Sequence, residues 1–247
     1  MIRAVLFDLG NTLLDYSLQG RWREFLRQRL AQMHPLVSEV TASPACDVVE
    51  FAEQLADIIG GERARAIERS GRSWHFRERL REELAAVGAN ANEDHIERLT
   101  DFFYQPIRAC NKPYPDTAPT LDRLRAQEMR LAIITNAPWD TPARLLRGDV
   151  EQWNMGDFFD AFVCSGDVAW RKPNPAFMLD AAEALAMAPS ECLVVGNSID
   201  ADIAGARAAG MRCVWVNRDH QTVPRGAPVP DWQANSLSDV LALLSAL

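Results

Sequence analysis

Five short, strongly apolar runs constrain this chain most. They are Arg3–Phe7, Leu131–Ile134, Ala161–Cys164, Cys192–Val195 and Cys213–Val216. Each stops at a small or polar residue: Asp8, Thr135-Asn136, Ser165-Gly166, Gly196-Asn197 and Asn217. A run without alternation suits a strand buried on both faces, as in a parallel sheet. Helical patterns fall between the runs. Leu121 and Leu124 mark one. Asn174-Pro175 opens another, with Asn as N-cap and Pro at the first helical position; Phe177, Met178, Ala181 and Leu185 are its apolar residues. Asp202–Ala209 forms a third, stopped by Gly210, and Leu237–Leu244 closes the chain. Such alternation predicts a doubly wound parallel α/β sheet.

The stretch between roughly Tyr16 and Pro113 has a different texture and no convincing strand. Helical spacing recurs in Trp22, Phe25, Leu26, Leu30 and Met33, and again in Val48, Phe51, Ala52, Leu55 and Ile59 before Gly60-Gly61. Phe76, Leu80, Leu84 and Val87, ending at Gly88, make a third set, and Ile96, Leu99, Phe103 and Ile107 a fourth. Four amphipathic helices predict a small bundle inserted after the first strand. The chain crosses into it near Leu14–Leu18 and out near Cys110–Asp116, giving a core of residues 1–16 and 112–247 and an insert of 17–111. Residues 218–234, rich in Pro and Gly, read as a surface loop.

Charge and cysteine usage narrow the function. With 26 Lys+Arg against 34 Asp+Glu the net charge is −8, a poor balance for binding a polyanion, so nucleic acid is not expected as a partner. No apolar run is long enough to span a bilayer, and the opening one is too short for a signal segment; a cytoplasmic protein with no membrane partner is expected. Five cysteines form no C-x-x-C pair. Cys164, Cys192 and Cys213 lie in apolar runs and read as buried small hydrophobes.

In a doubly wound sheet, ligands bind beyond the carboxyl ends of the strands. Asp8-Leu9-Gly10-Asn11-Thr12 places a carboxylate there, followed by a glycine. Thr135-Asn136 supplies a hydroxyl and an amide for an oxyanion. Lys172-Pro173 precedes a helix start. Gly196-Asn197-Ser198-Ile199-Asp200-Ala201-Asp202 opens a helix with two carboxylates, which suits a cation. Taken singly, each has a plain structural reading as a turn, a cap or a solvated charge.

Taken in order, the four segments resemble the haloacid dehalogenase superfamily, in its branch with a helical cap inserted after the first motif. The phrases "VLFDLGNTL", "IITNA", "RKPNPAFM" and "VVGNSIDADIAGARAAG" carry the resemblance, which spans nearly the whole chain. It implies a Rossmann-like core and a hydrolase that acts on a small phosphorylated molecule with Mg²⁺. Asp8 would be the nucleophile, forming an aspartyl-phosphate. Asp8, the Gly10 carbonyl, Asn197 and Asp202 would hold Mg²⁺. Asn11, Thr12, Thr135, Asn136 and Lys172 would hold the phosphate, with Lys172 also balancing charge. The helical cap would exclude water and choose the substrate.

Two positions depart from the pattern. Family phosphatases usually carry a second Asp, as general acid and base, where this chain has Gly10. Asn197 stands where Asp is commoner, which removes one negative charge from a metal site. Three readings follow, ranked in this order: a Mg²⁺-dependent phosphatase favouring good leaving groups; a metal-independent 2-haloacid dehalogenase, with Arg23, Arg27 or Arg29 steering the anion; and a binding protein without turnover.

Overall fold

The computed structural model describes residues 1–16, 22–41, 69–86 and 91–245. All five apolar runs are strands: β1 (Ala4–Phe7), β4 (Arg130–Thr135), β5 (Ala161–Cys164), β6 (Cys192–Gly196) and β7 (Arg212–Val216). With β8 (Trp232–Ala234) they form one sheet in the order β5-β4-β1-β6-β7-β8, and every neighbouring pair is parallel. The absence of polar alternation has the expected cause. In β1, Ala4 and Leu6 enter the apolar layer on one face, and Val5 and Phe7 the layer on the other.

The helices cover both faces. Before the insert, β2 (Leu14–Tyr16) follows β1. The insert contributes α1 (Trp22–Thr41), α2 (Phe76–Ala86) and α3 (Glu93–Ala109), after which come β3 (Asn111–Pro113) and α4 (Thr117–Ala126). Then α5 (Ala143–Glu151) follows β4, α6 (Pro175–Ala184) follows β5, α7 (Ala204–Ala208) follows β6 and α8 (Leu237–Ser245) follows β8. Leu121 and Leu124 of α4, Leu145 and Val150 of α5 and Leu237 and Val240 of α8 pack with Val5 and Phe7. Phe177, Met178 and Ala181 of α6 and Ala206 of α7 pack with Ala4 and Leu6. Asn174 caps α6 as expected: its side chain accepts from Ala176 N at 2.9 Å, and Pro175 follows. Among the described residues, no helix is long and apolar enough to cross a membrane.

Three expectations change. The boundaries of the helical stretch are strands: β2 and β3 pair antiparallel, Leu14 with Pro113 and Tyr16 with Asn111. They are too short for a periodic pattern and are tied by backbone groups that sequence does not display. Part of the Pro/Gly-rich stretch expected to be loop is the edge strand β8, held through pairs such as Val214 with Trp232. The helix expected from Asp202 starts earlier, as a π-turn over Ile199–Ile203 that runs into α7. The helix expected around Val48–Ile59 lies outside the described residues, as does Cys46. Cys164, Cys192 and Cys213 are buried and free.

The helices between β2 and β3 meet the loops around the strand ends through ring packing and hydrogen bonds. Trp139, in the loop after β4, lies 5.2 Å edge-on from Phe103 and 6.3 Å, stacked, from Phe25. Residues just before α2 hydrogen-bond the segment before Lys172: Ser73 N to Ala169 O at 3.0 Å, and Arg171 N to Gly71 O at 3.0 Å. Trp74 N also donates to buried Asp140 at 2.6 Å.

Candidate active site

The carboxyl ends of β1, β4 and β6 stand side by side, and a cavity of ≈ 200 Å³ opens over them. Asp8, Gly10, Asn11, Thr135, Asn136, Lys172, Asn197 and Asp202 all line it. The structure therefore gathers every expected site residue except Thr12 into one wall. Thr12 lies just behind: it is fully buried, and its hydroxyl donates to Asp8 Oδ2 at 3.0 Å. It holds the carboxylate and does not face the cavity.

Lys172 is the centre of the arrangement. Its Nζ donates to Asp8 Oδ1 at 2.6 Å, to Asp202 Oδ1 at 2.7 Å and to the Ile134 carbonyl at 2.9 Å. Three donors thus meet three acceptors, and the ammonium is 3% exposed as a residue. Asn136 fixes the backbone that carries it: Lys172 N donates to Asn136 Oδ1 at 2.9 Å, and Asn136 Nδ2 donates to Lys172 O at 3.0 Å. The Asn136 amide, expected among the phosphate-binding groups, is thus engaged at both ends in placing the lysine.

Electrostatics follow from burial. Burial pushes the Asp8 carboxyl up to about 6, with Lys172 pulling it down and Asp202 pushing it up. Burial opposes the Lys172 charge, but Asp202 and Asp8 outweigh it and leave the ammonium above an ordinary lysine. The pair of carboxylates exceeds the single ammonium by one negative charge, which disfavours ionising Asp8 and suits a further cation nearby.

Local backbone explains the placement of the acids. Ser198 N donates to Asp202 Oδ2 at 2.9 Å, and the Asp202 carboxylate lies against Gly196. A Cβ on Gly196 would stand 2.3 Å from Asp202 Cγ, so only glycine fits. Asn11 turns the chain after β1 at φ 62, in the left-handed region. Its buried Oδ1 has no hydrogen-bond partner.

The donors available to a metal are the Asp8 and Asp202 carboxylates, with neutral oxygens at Gly10 and Asn197. Among the described residues, no three His, Cys, Asp or Glu side chains stand together as a ligand cluster. A set made of oxygen atoms fits a hard cation such as Mg²⁺. Asp200 is exposed and takes no part in the cavity wall.

Sequence reasoning missed Tyr16, Pro138, Leu146, Ser198 and Ala201, which also line the cavity. Tyr16 stands at the chain's entry into the helical stretch, and Leu146 lies on the buried face of α5 with Leu145 and Val150, so neither stood apart from ordinary core residues. Of the arginines weighed for steering an anion, the side chains of Arg23 and Arg27 lie outside the described residues, and Arg29 points into the helical layer. It bonds the Phe102 carbonyl and Gln32 Oε1, and its guanidinium lies 3.7 Å over the Phe102 ring.

A parallel six-stranded sheet covered by helices on both faces, with two buried carboxylates and a lysine gathered at the carboxyl edge of its strands, defines a Rossmann-like α/β fold with its polar site in the expected place. The family model for haloacid dehalogenase-like hydrolases matches residues 2–210, and the chain belongs to that family. It is 26% identical over 257 residues to N-acylneuraminate-9-phosphatase of Mus musculus, covering all of this chain and 95% of that protein. It is 28% identical over 257 residues to glyceraldehyde 3-phosphate phosphatase of Methanopyrus kandleri, covering 100% and 99%. Among solved structures, a 2-haloacid dehalogenase from Pseudomonas syringae matches with TM-score 0.67 and 25% identity over 100% and 99% of the two chains. The protein is a haloacid dehalogenase-like hydrolase with phosphatases among its relatives.

Proposed function

We propose that this hydrolase is a phosphatase of a small phosphorylated molecule, with Asp8 as nucleophile. The observation that carries the reading is Lys172 bridging Asp8 and Asp202 at the floor of the cavity. An Asp8 carboxylate oxygen attacks phosphorus, the bond from phosphorus to the leaving oxygen breaks, and an aspartyl-phosphate forms on Asp8. Water then attacks phosphorus, releases phosphate and restores the carboxylate. Lys172 offsets the negative charge that gathers on the phosphoryl oxygens. Thr135, at the end of β4, and Asn11 line the same cavity, where a hydroxyl and an amide N–H would donate to phosphoryl oxygens.

Mg²⁺ fits the donor set: Asp8, the Gly10 carbonyl, Asn197 and Asp202 would hold it, and it would neutralise phosphoryl charge. Gly10 supplies no proton to the leaving oxygen, and a side-chain acid there is worth about 10²–10⁴-fold. The enzyme therefore depends strongly on leaving-group basicity. Residues 1–16 and 112–247 act as the catalytic core and 17–111 as a helical cap, with Trp139 and the Ser73–Trp74 hydrogen bonds joining them beside the cavity. The relatives named as phosphatases over nearly their full lengths support the same reading, and a cytoplasmic setting accords with free, buried thiols.

The test is hydrolysis of p-nitrophenyl phosphate. Activity with Mg²⁺ that is lost with EDTA and in Asp8→Asn supports the proposal. Halide release from 2-chloropropionate without metal, and no phosphate release, replaces it with dehalogenation.

A further inference from the structure

Position 10 lacks the carboxylate that the family's phosphatases usually carry, and the space in front of it is filled from elsewhere. A Cβ on Gly10 would stand 3.6 Å from Tyr16 Cδ2 and 3.7 Å from Cε2, in van der Waals contact, so the phenol ring flanks that position. The ring is held in place. Tyr16 Oη donates to Asp149 Oδ2 at 2.8 Å, and Tyr104 Oη donates to the same oxygen at 2.6 Å. Arg108 Nε donates to Asp149 Oδ1 at 3.0 Å. Asp149 is fully buried, Tyr104 1% exposed and Tyr16 6% exposed. Burial, then Asp149, keeps the Tyr16 proton on its oxygen well above the ordinary phenol range. The ring is therefore a fixed, neutral wall.

That wall continues. Pro138 and Leu146 line the same cavity, and Leu146 lies one helical turn before Asp149 on α5. Among the described residues, the cavity thus has a polar floor that includes Asp8, Thr135, Lys172 and Asp202, and one side that carries the Tyr16 ring with Pro138 and Leu146. Its ≈ 200 Å³ falls below the roughly 300–1,000 Å³ of pockets for drug-sized ligands. A charged group pressed against an apolar wall loses its hydration without a partner.

We propose that Tyr16 is a specificity-determining residue, and that with Pro138 and Leu146 it selects phosphomonoesters with a compact, uncharged leaving group. Asp149 is a positioning residue that acts through Tyr16. The inference rests on the phosphatase reading above and names its substrate class.

The experiment compares kcat/KM for three alkyl phosphates: glycerol 1-phosphate (compact, uncharged), phosphoglycolate (compact, carboxylate-bearing) and glucose 6-phosphate (uncharged, bulky). The full chain, Tyr16→Phe, Tyr16→Ala and Leu146→Ala are each assayed with Mg²⁺. The wild-type protein favours glycerol 1-phosphate over both others. Tyr16→Ala shrinks its preference over glucose 6-phosphate by about tenfold or more, the scale on which small changes in an apolar pocket discriminate substrates. Tyr16→Phe keeps the ring and most of the preference. Leu146→Ala opens the same wall, so it gives the answer if Tyr16→Ala does not fold. Wild-type turnover that does not favour glycerol 1-phosphate over phosphoglycolate, or a preference unchanged in both alanine variants, overturns the inference and leaves the phosphatase reading standing. Turnover of no phosphate ester, p-nitrophenyl phosphate included, overturns both.

Discussion

Replacing Lys172 by Met isolates the charge arrangement on which the site depends. The ammonium is the shared partner of two buried carboxylates, 2.6 Å from Asp8 and 2.7 Å from Asp202. Met approximates its length but supplies no charge, so the two acids face each other in a desolvated pocket. Removing one partner of a buried charge cluster costs about 3–5 kcal/mol. For a chain of this size, roughly 2–4 °C of Tm accompany each kcal/mol, which gives a fall of about 6–20 °C near neutral pH. The loss also acquires a pH dependence of definite sign. Asp8 already titrates above its ordinary 3.8, at about 6, so ionising it opposes folding as pH rises through that interval. Lys172 is the chief influence that lowers it, and without the lysine the interval extends upward. The Lys172→Met deficit is therefore largest at pH 8 and shrinks towards pH 5, where protonation removes the repulsion. Thermal unfolding of both proteins between pH 5 and 8 without metal measures this directly. Added Mg²⁺ recovers part of the deficit. A Tm within about 2 °C of wild type at pH 8, or a deficit that grows on acidification, refutes the reasoning.

Other consequences are equally specific. Gly196→Ala places a methyl group 2.3 Å from Asp202 Cγ, which displaces the acid; phosphatase kcat falls at least about 10²-fold, as for loss of a positioned electrostatic group, and a variant with wild-type kcat contradicts the close approach. Since Asp8 attacks only when ionised, kcat/KM rises with pH through an acid limb at or below about 6, and bound metal moves the limb lower; a limb centred above about pH 7 would show that another group limits the rate. Asn174→Ala removes the bond to Ala176 N and lowers stability by about 1 kcal/mol, read by urea denaturation, whereas an unchanged midpoint would mean that Pro175 alone fixes the start of α6.

The sheet was legible because both of its faces are covered. Ala4, Leu6, Ala132 and Ile134 meet one helical layer, while Val5, Phe7, Leu131 and Ile133 meet the other, so no polar residue interrupts the runs. The polar floor was legible for a related reason: parallel strands all end on one side, so Asp8, Thr135 and the Gly196–Asp202 segment had to share a rim. Lys172 followed from its order in the chain. The wall was not legible. Asp149 stands in "LLRGDVEQW" like any solvated helix acid, and only the fold shows that it is fully buried beneath two phenols. Asp140 is similar: it is buried and bonded to Trp74 N, Ser165 Oγ and Arg171, contacts that join residues distant in sequence. β2 and β3 were hidden because their three-residue ladder depends on backbone pairing.

With Asp8 as nucleophile, its carboxylate becomes esterified during turnover. The most direct measurement is an acid quench of the enzyme turning over radiolabelled p-nitrophenyl phosphate with Mg²⁺, followed by digestion and mapping of the label. A base-labile phosphoryl group is expected on the peptide carrying Asp8, and none in Asp8→Asn. Label on another peptide, or an Asp8→Asn protein that still releases phosphate, would contradict it.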